Sequence, residues 1–138
     1  MTSECRINES NYVDIAEANI QKLKQEGTKI DRNGKPQIKI VTTSKIRGLL
    51  SMVSDIYNDV LHETGETLSS DIVSRISYMK VHFYYEAGRE PLVKTFLEKA
   101  EVFQLLNTIN GKRSRFILFS RYMEALVAFR KFHVEKDD

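Results

Sequence analysis

Between Thr42 and Leu61 the apolar residues Ile46, Leu49, Leu50, Val53, Ile56, Tyr57, Val60 and Leu61 recur three or four positions apart, and no proline interrupts them. That spacing puts them on one stripe of an α-helix. Thr42, Thr43 or Ser44 supplies a hydroxyl that can accept from the free N–H groups of the first turn. Gly65 lies past the end, where a left-handed residue closes a helix cheaply. Lys45 and Arg47 stand in the first turn. The helix dipole is positive there, so cations are out of place unless an anion also comes near.

The same period appears elsewhere. Asn11–Glu26 predicts a first helix with Val13, Ala16, Ile20 and Leu23 on its buried face, ended by Gly27. Residues 27–41 carry Gly34 and Pro36 and read as a loop; Ile38, Ile40 and Val41 suit an extended chain, but no segment offers a partner strand. A third helix starts at Ser69 or Ser70, with Asp71 in its first turn, Ile72, Ile76, Met79 and Phe83 as its stripe, Val73 beside it, and Gly88 as its stop. Pro91 opens a fourth, where its missing N–H costs nothing, and Leu92, Phe96, Ala100, Phe103 and Leu106 continue the pattern. Asn110–Gly111 is a turn. The last helix, Ser114 to Phe132, is apolar on nearly every side, and only a wedge of Ser120, Arg121, Glu124 and Lys131 is polar. Such a helix belongs at the centre of a bundle. The fold expected is all-α: one helical domain over 1–138, a compact bundle of about five helices with an irregular N-terminal loop and residues 1–10 frayed.

Composition adds limits. The 138 residues are 41% hydrophobic and 29% charged, ordinary values for a globular chain. The net charge is +2, too small to require a polyanionic partner. Residues 70–138 hold twelve Lys and Arg against nine Asp and Glu, and 1–69 hold nine against ten, which places the basic excess in the second half. Cys5 is alone, so the chain forms no internal disulfide and no Cys-rich metal site. No apolar run reaches membrane-spanning length and no signal-peptide order opens the chain, so a cytoplasmic protein without membrane contact is expected.

Catalytic patterns are missing. His62, His82 and His133 lack partners at metal-ligand spacing, and His62-Glu63 is not followed by a second His four residues on. There is no GxxxxGK loop, no GxGxxG and no GxSxG. Carboxylates are scattered, with no cluster for a metal-dependent nuclease. The expectation is a protein that is not an enzyme and uses no cofactor or metal.

Cations at helix ends and turns remain. Lys45 and Arg47 open the second helix, Lys80 and His82 lie in the third, and Arg89 follows Gly88. Lys112, Arg113 and Arg115 enter the last helix, and Arg121 lies on its polar wedge. Free N–H groups beside Lys or Arg make a phosphate seat, and the Arg fork suits phosphate oxygens. Each also has a plainer use: Lys45 and Arg47 can be solvated, Arg121 can pair with Glu124, and Arg89 can cap carbonyls. Tyr84, Tyr85 and Phe83 can stack bases or pack in the core.

Three stretches taken together, TTSKIR at 42–47, YMKVHFYYEAGRE at 78–90 and RFILFSRYMEALVAFRKF at 115–132, resemble the small-subunit family of the type III-A CRISPR effector, the Csm complex. The resemblance covers about Val41 to Phe132, and NYVDIAE near the N-terminus also fits. It implies a helical bundle without catalytic role, present in several copies beside RAMP-type backbone subunits and the large subunit. Those copies would line the channel where guide RNA pairs with single-stranded target RNA. The implied RNA-binding residues are Lys45, Arg47, Lys80, Arg89, Arg113, Arg115 and Arg121. Lys112 and Arg113 precede the last stretch, and His82 stands where the family carries a longer basic side chain. The alternative is a protein-only helical adaptor whose cations form salt bridges to neighbouring subunits.

Overall fold

A computed structural model describes residues 5–134. Among them, six helices and one short hairpin follow in the order α1 (Tyr12–Gly27), β1 (Thr28–Ile30), β2 (Pro36–Ile38), α2 (Thr43–Val60), α3 (Ser70–Arg89), α4 (Pro91–Lys99), α5 (Val102–Leu106) and α6 (Arg113–His133). None of these helices is long and apolar enough to cross a membrane.

The helix starts follow local chemistry. Thr42 accepts from the Lys45 N–H and Ser69 from the Ile72 N–H, each filling a donor that the first turn leaves open. Pro91 occupies the first turn of α4. Asn110 and Gly111, at φ 45° and 71°, make the turn into α6.

The all-α bundle is as expected, and α6 lies at its centre, packed between α1 and α2. Phe116, Phe119, Tyr122, Met123 and Leu126 of α6 are fully buried in one continuous core with Ile46 and Val53 of α2, Met79 and Phe83 of α3, and Phe96 of α4. Ser120, expected on the polar wedge, is buried instead, because its hydroxyl donates to the Phe116 carbonyl one turn back. Arg130 is buried too, its Nε–H donating to the Val41 carbonyl at 2.7 Å.

Several boundaries differ from expectation. Residues 27–41 are not all loop: β1 and β2 pair antiparallel, with Thr28 opposite Ile38 and Lys29 opposite Gln37. Asp31 closes the turn by accepting from the Asn33 and Lys35 N–H groups, and Gly34 takes φ 77°. The partner strand was eight residues away rather than in another segment, and Ile40 and Val41 enter the core. Gly88 does not stop α3, which runs on to Arg89; Glu90 breaks it, held extended at φ −133°, ψ 112° by the proline that follows. Gly65 takes no left-handed conformation, since α2 has already ended at Val60. Val13 is exposed, and the buried face of α1 runs instead through Ile15, Ala16, Asn19, Ile20 and Leu23.

The expected fourth helix is two. Glu101 at φ 63° separates α4 from α5. Its carboxylate accepts from Arg6 (2.6 Å) and from Asn19 (2.9 Å). Asn19 also donates to the Tyr122 hydroxyl, which donates to the Ala100 carbonyl. Burial pushes the Tyr122 hydroxyl well above its usual range. The same network corrects the frayed N-terminus: residues 1–4 lie outside the described residues, but Arg6 is pinned to Glu101 and Ile7 is buried.

Hydrogen bonds from Arg6 hold the Glu101 carboxyl below its ordinary 4.5, against the opposing effect of burial, with Asn19 adding to the lowering. A depressed carboxylate contributes stability that is present above its unfolded value and is lost as pH falls through the folded one. Urea midpoints of the wild type should therefore fall as pH drops below 4.5, and Glu101→Gln should flatten that part of the profile. Parallel profiles for the two proteins would contradict it.

Candidate nucleic-acid interface

The surface around α3 gathers three of the expected cations. On one flank, the first turns of α2 face the last turns of α3 across a groove of about 370 Å³ lined by Ser44, Lys45, Gly48, Met52, His82 and Glu86. Lys45 Nζ reaches Glu90 at 2.6 Å, which ties the start of α2 to the α3–α4 junction. Arg89 lies 3.5 Å from Glu86 and 6.0 Å from the centroid of the Tyr85 ring, and His82 lies 3.8 Å from the same carboxylate. Lys45 thus lines the groove and Arg89 is joined to its wall through Glu86, so each of the two cations is met by a carboxylate. An incoming phosphate would have to take the place of Glu90 or Glu86.

On the other flank of α3, Lys80 lines a second groove of about 290 Å³ with Val73, Ser77, Asn107, Asn110 and Gly111. Between the grooves Tyr78, Val81 and Tyr85 stand outward, each more than 60% exposed. Phe83 is in the core, and Tyr84 lies flat on Phe103 at 4.1 Å, so these two serve packing.

The remaining cations are elsewhere. Positions two apart on a helix point about 200° apart, so Arg47 leaves α2 on the flank opposite Lys45. Arg47, Arg115 and Arg121 are exposed. With Lys80, they form no side-chain hydrogen bond or ion pair among the described residues; Arg121 does not pair with Glu124. Arg113 is half-buried and donates Nε–H to the Val60 carbonyl, joining the start of α6 to the end of α2.

The expected phosphate seat at the start of α6 is already filled. Glu66 accepts from the Ser114 N–H at 3.1 Å and from the Ser114 hydroxyl, and its own carbonyl accepts from the Arg113 N–H. Those Ser114 bonds lower the carboxyl below its ordinary value. A carboxylate occupies the positive end of the α6 dipole, the position a phosphate would take. No local pattern signals this, because Glu66 lies 48 residues from Ser114. Among the described residues no group of three or more His, Cys, Asp or Glu is placed to hold a metal ion.

Comparison with known proteins agrees with the resemblance carried by the three stretches. The family model for Csm2 type III-A matches residues 17–136. The CRISPR system Cms protein Csm2 of Streptococcus thermophilus is 39% identical over 131 residues, 95% of this chain and 98% of the relative. The protein of the same name from Enterococcus italicus is 38% identical over 119 residues, 82% and 85% of the two chains. That of Mycobacterium tuberculosis is 35% identical over 97 residues, 70% and 78%.

Proposed function

The chain belongs to the Csm2 type III-A family, and on that premise we propose that it is the non-catalytic small subunit of a cytoplasmic, RNA-guided antiviral effector, where it clamps the backbone of guide and target RNA. Its other partners are further copies of itself, the RAMP-type backbone subunits and the large subunit. The observation that carries the RNA reading is that four of the expected cations, Arg47, Lys80, Arg115 and Arg121, are exposed and have no carboxylate partner among the described residues. Such groups neutralise phosphate without first breaking an ion pair. Pairing between guide and target supplies sequence choice, so this subunit needs only phosphate and sugar contacts. Lys45 and Arg89 join the clamp by exchanging Glu90 and Glu86 for phosphate. Arg113 holds the end of α2 with Nε and offers its Nη groups.

A protein-only adaptor is favoured by a different observation. The cations at the α2–α3 groove are paired with carboxylates, and the exposed ridge of Tyr78, Val81 and Tyr85 beside them suits a protein neighbour. The two readings separate in assembled particles that carry Arg47→Ala, Lys80→Ala, Arg115→Ala and Arg121→Ala together. The clamp predicts intact assembly with weakened target-RNA binding. Failed assembly, with normal RNA affinity in whatever particles form, would establish the adaptor instead.

A further inference from the structure

The hairpin of β1 and β2 carries more positive charge than its length suggests. Residues 27–39 hold four cations, Lys29, Arg32, Lys35 and Lys39, against one carboxylate, Asp31. Four minus one is a local net charge of +3, above the +2 of the whole chain. Averaging over the first half of the sequence hides it.

The pleat sorts these charges. Successive strand residues point to opposite faces, and directly opposed residues share one. Lys29 lies opposite Gln37, so Lys29, Asp31, Lys35, Gln37 and Lys39 share a face. The Gln37 amide donating to Asp31 at 3.1 Å agrees. Thr28, Ile30, Pro36 and Ile38 take the other face, with Ile38 half-buried against the core. The lysine face therefore looks away from the bundle. All four cations are exposed, and none makes a side-chain hydrogen bond or ion pair among the described residues. Asp31 is committed to the turn, accepting from Asn33, Lys35 and Gln37.

The hairpin is also fixed at its base. The Lys39 N–H donates to the Gly27 carbonyl at 2.8 Å, and a Cβ at Gly27 would sit 2.3 Å from the Lys39 carbonyl oxygen, so only glycine lets the strand come this close to the end of α1. Two residues on, the Arg130 guanidinium holds the Val41 carbonyl.

We propose that this hairpin is a basic finger that grips a single-stranded RNA backbone through Lys29, Lys35 and Lys39, with Arg32 at its tip, as a contact separate from the α3 surface. The inference rests on the RNA-clamp reading above. Charge selects the occupant. The lysine face has no apolar centre of the kind a protein interface builds on, whereas a polyanion needs none. Alternate residues on one strand face stand about 6.6 Å apart, a step comparable to that between phosphates of an extended strand.

The test is anisotropy of the full chain with a labelled single-stranded RNA over a salt series, for the wild type, for Lys29→Ala/Lys35→Ala/Lys39→Ala, and for the four-cation variant defined above. A Lys→Arg triple at the same positions serves as the rescue. The lysines are exposed, so circular dichroism should be unchanged. The log–log salt slope should flatten by about 2 in the hairpin triple, at roughly 0.7 per lost contact, with recovery in the Arg triple. Loss in the Lys→Ala hairpin triple alone supports the finger and removes Arg47, Lys80, Arg115 and Arg121 from the clamp. A hairpin triple that binds like the wild type, while the four-cation variant weakens, overturns the finger and leaves the clamp standing. Salt-independent or absent binding by the wild type overturns both. Unchanged RNA binding with loss of the hairpin triple from assembled particles points to an acidic protein partner and overturns the finger.

Discussion

Replacing Arg47, Lys80, Arg115 and Arg121 together by alanine should lower the affinity of the chain for single-stranded RNA about a thousandfold near 0.05 M salt. Each contacted phosphate releases about 0.7 of a counterion on a single strand, so four lost contacts flatten the log–log salt slope by about 3 and remove nearly four decades at most at that salt. The effect should be the same for RNAs of unrelated sequence, because phosphate contacts carry no base information. Lys45→Ala should cost much less. Its ammonium is 2.6 Å from Glu90, so phosphate gained there is offset by a broken ion pair. A larger loss from Lys45→Ala than from the four-cation variant, read by anisotropy, would move the clamp to the α2–α3 groove.

The second large effect is on stability. Phe119→Ala should destabilise the chain by about 3–5 kcal/mol, because α6 is the element the other helices close upon. The Phe119 ring is fully buried, 6.2 Å from Phe83 of α3 and 6.4 Å from Phe116. Truncation removes apolar area from the one place where α3 and α6 meet ring to ring, and leaves a cavity that a fixed helical backbone refills poorly. The urea midpoint should fall with m little changed. Phe132→Ala, on the same helix but 78% exposed, should stay within about 0.5 kcal/mol of the wild type. Equal losses at the two positions would contradict the placement of α6.

The helices were legible because their apolar stripes are dense and their caps local. Thr42, Ser69 and Pro91 act within their own first turns. What the sequence concealed depends on distant partners. The break at Glu101 comes from a left-handed backbone whose carboxylate is met by Arg6 and Asn19, far away in the chain. Burial of Arg130 depends on the Val41 carbonyl, 89 residues away. The hairpin was concealed for another reason: strands of three residues carry too little alternation to stand out, and the signal was the turn chemistry of Asp31 and Gly34.

The candidate surface divides the same way. Exposure of Arg47, Lys80, Arg115 and Arg121 follows from their position off the apolar stripes, which periodicity gives directly. The partners that occupy the other cations follow only in part. Glu86 meets Arg89 three residues on within α3, a local pair that helical spacing allows. Glu90 on Lys45 and Glu66 at the start of α6 are set by how helices pack. A chain-wide net charge near zero and averages over half-chains also hid the lysines of the hairpin.

The most direct test of the central claim is the affinity of the purified wild-type chain for two single-stranded RNAs of unrelated sequence, measured by anisotropy from low to high salt. The backbone clamp predicts equal affinities and parallel, steeply falling log–log lines, with a slope of roughly −0.7 for each phosphate held. A strong preference for one sequence, or a flat line against salt, would contradict it.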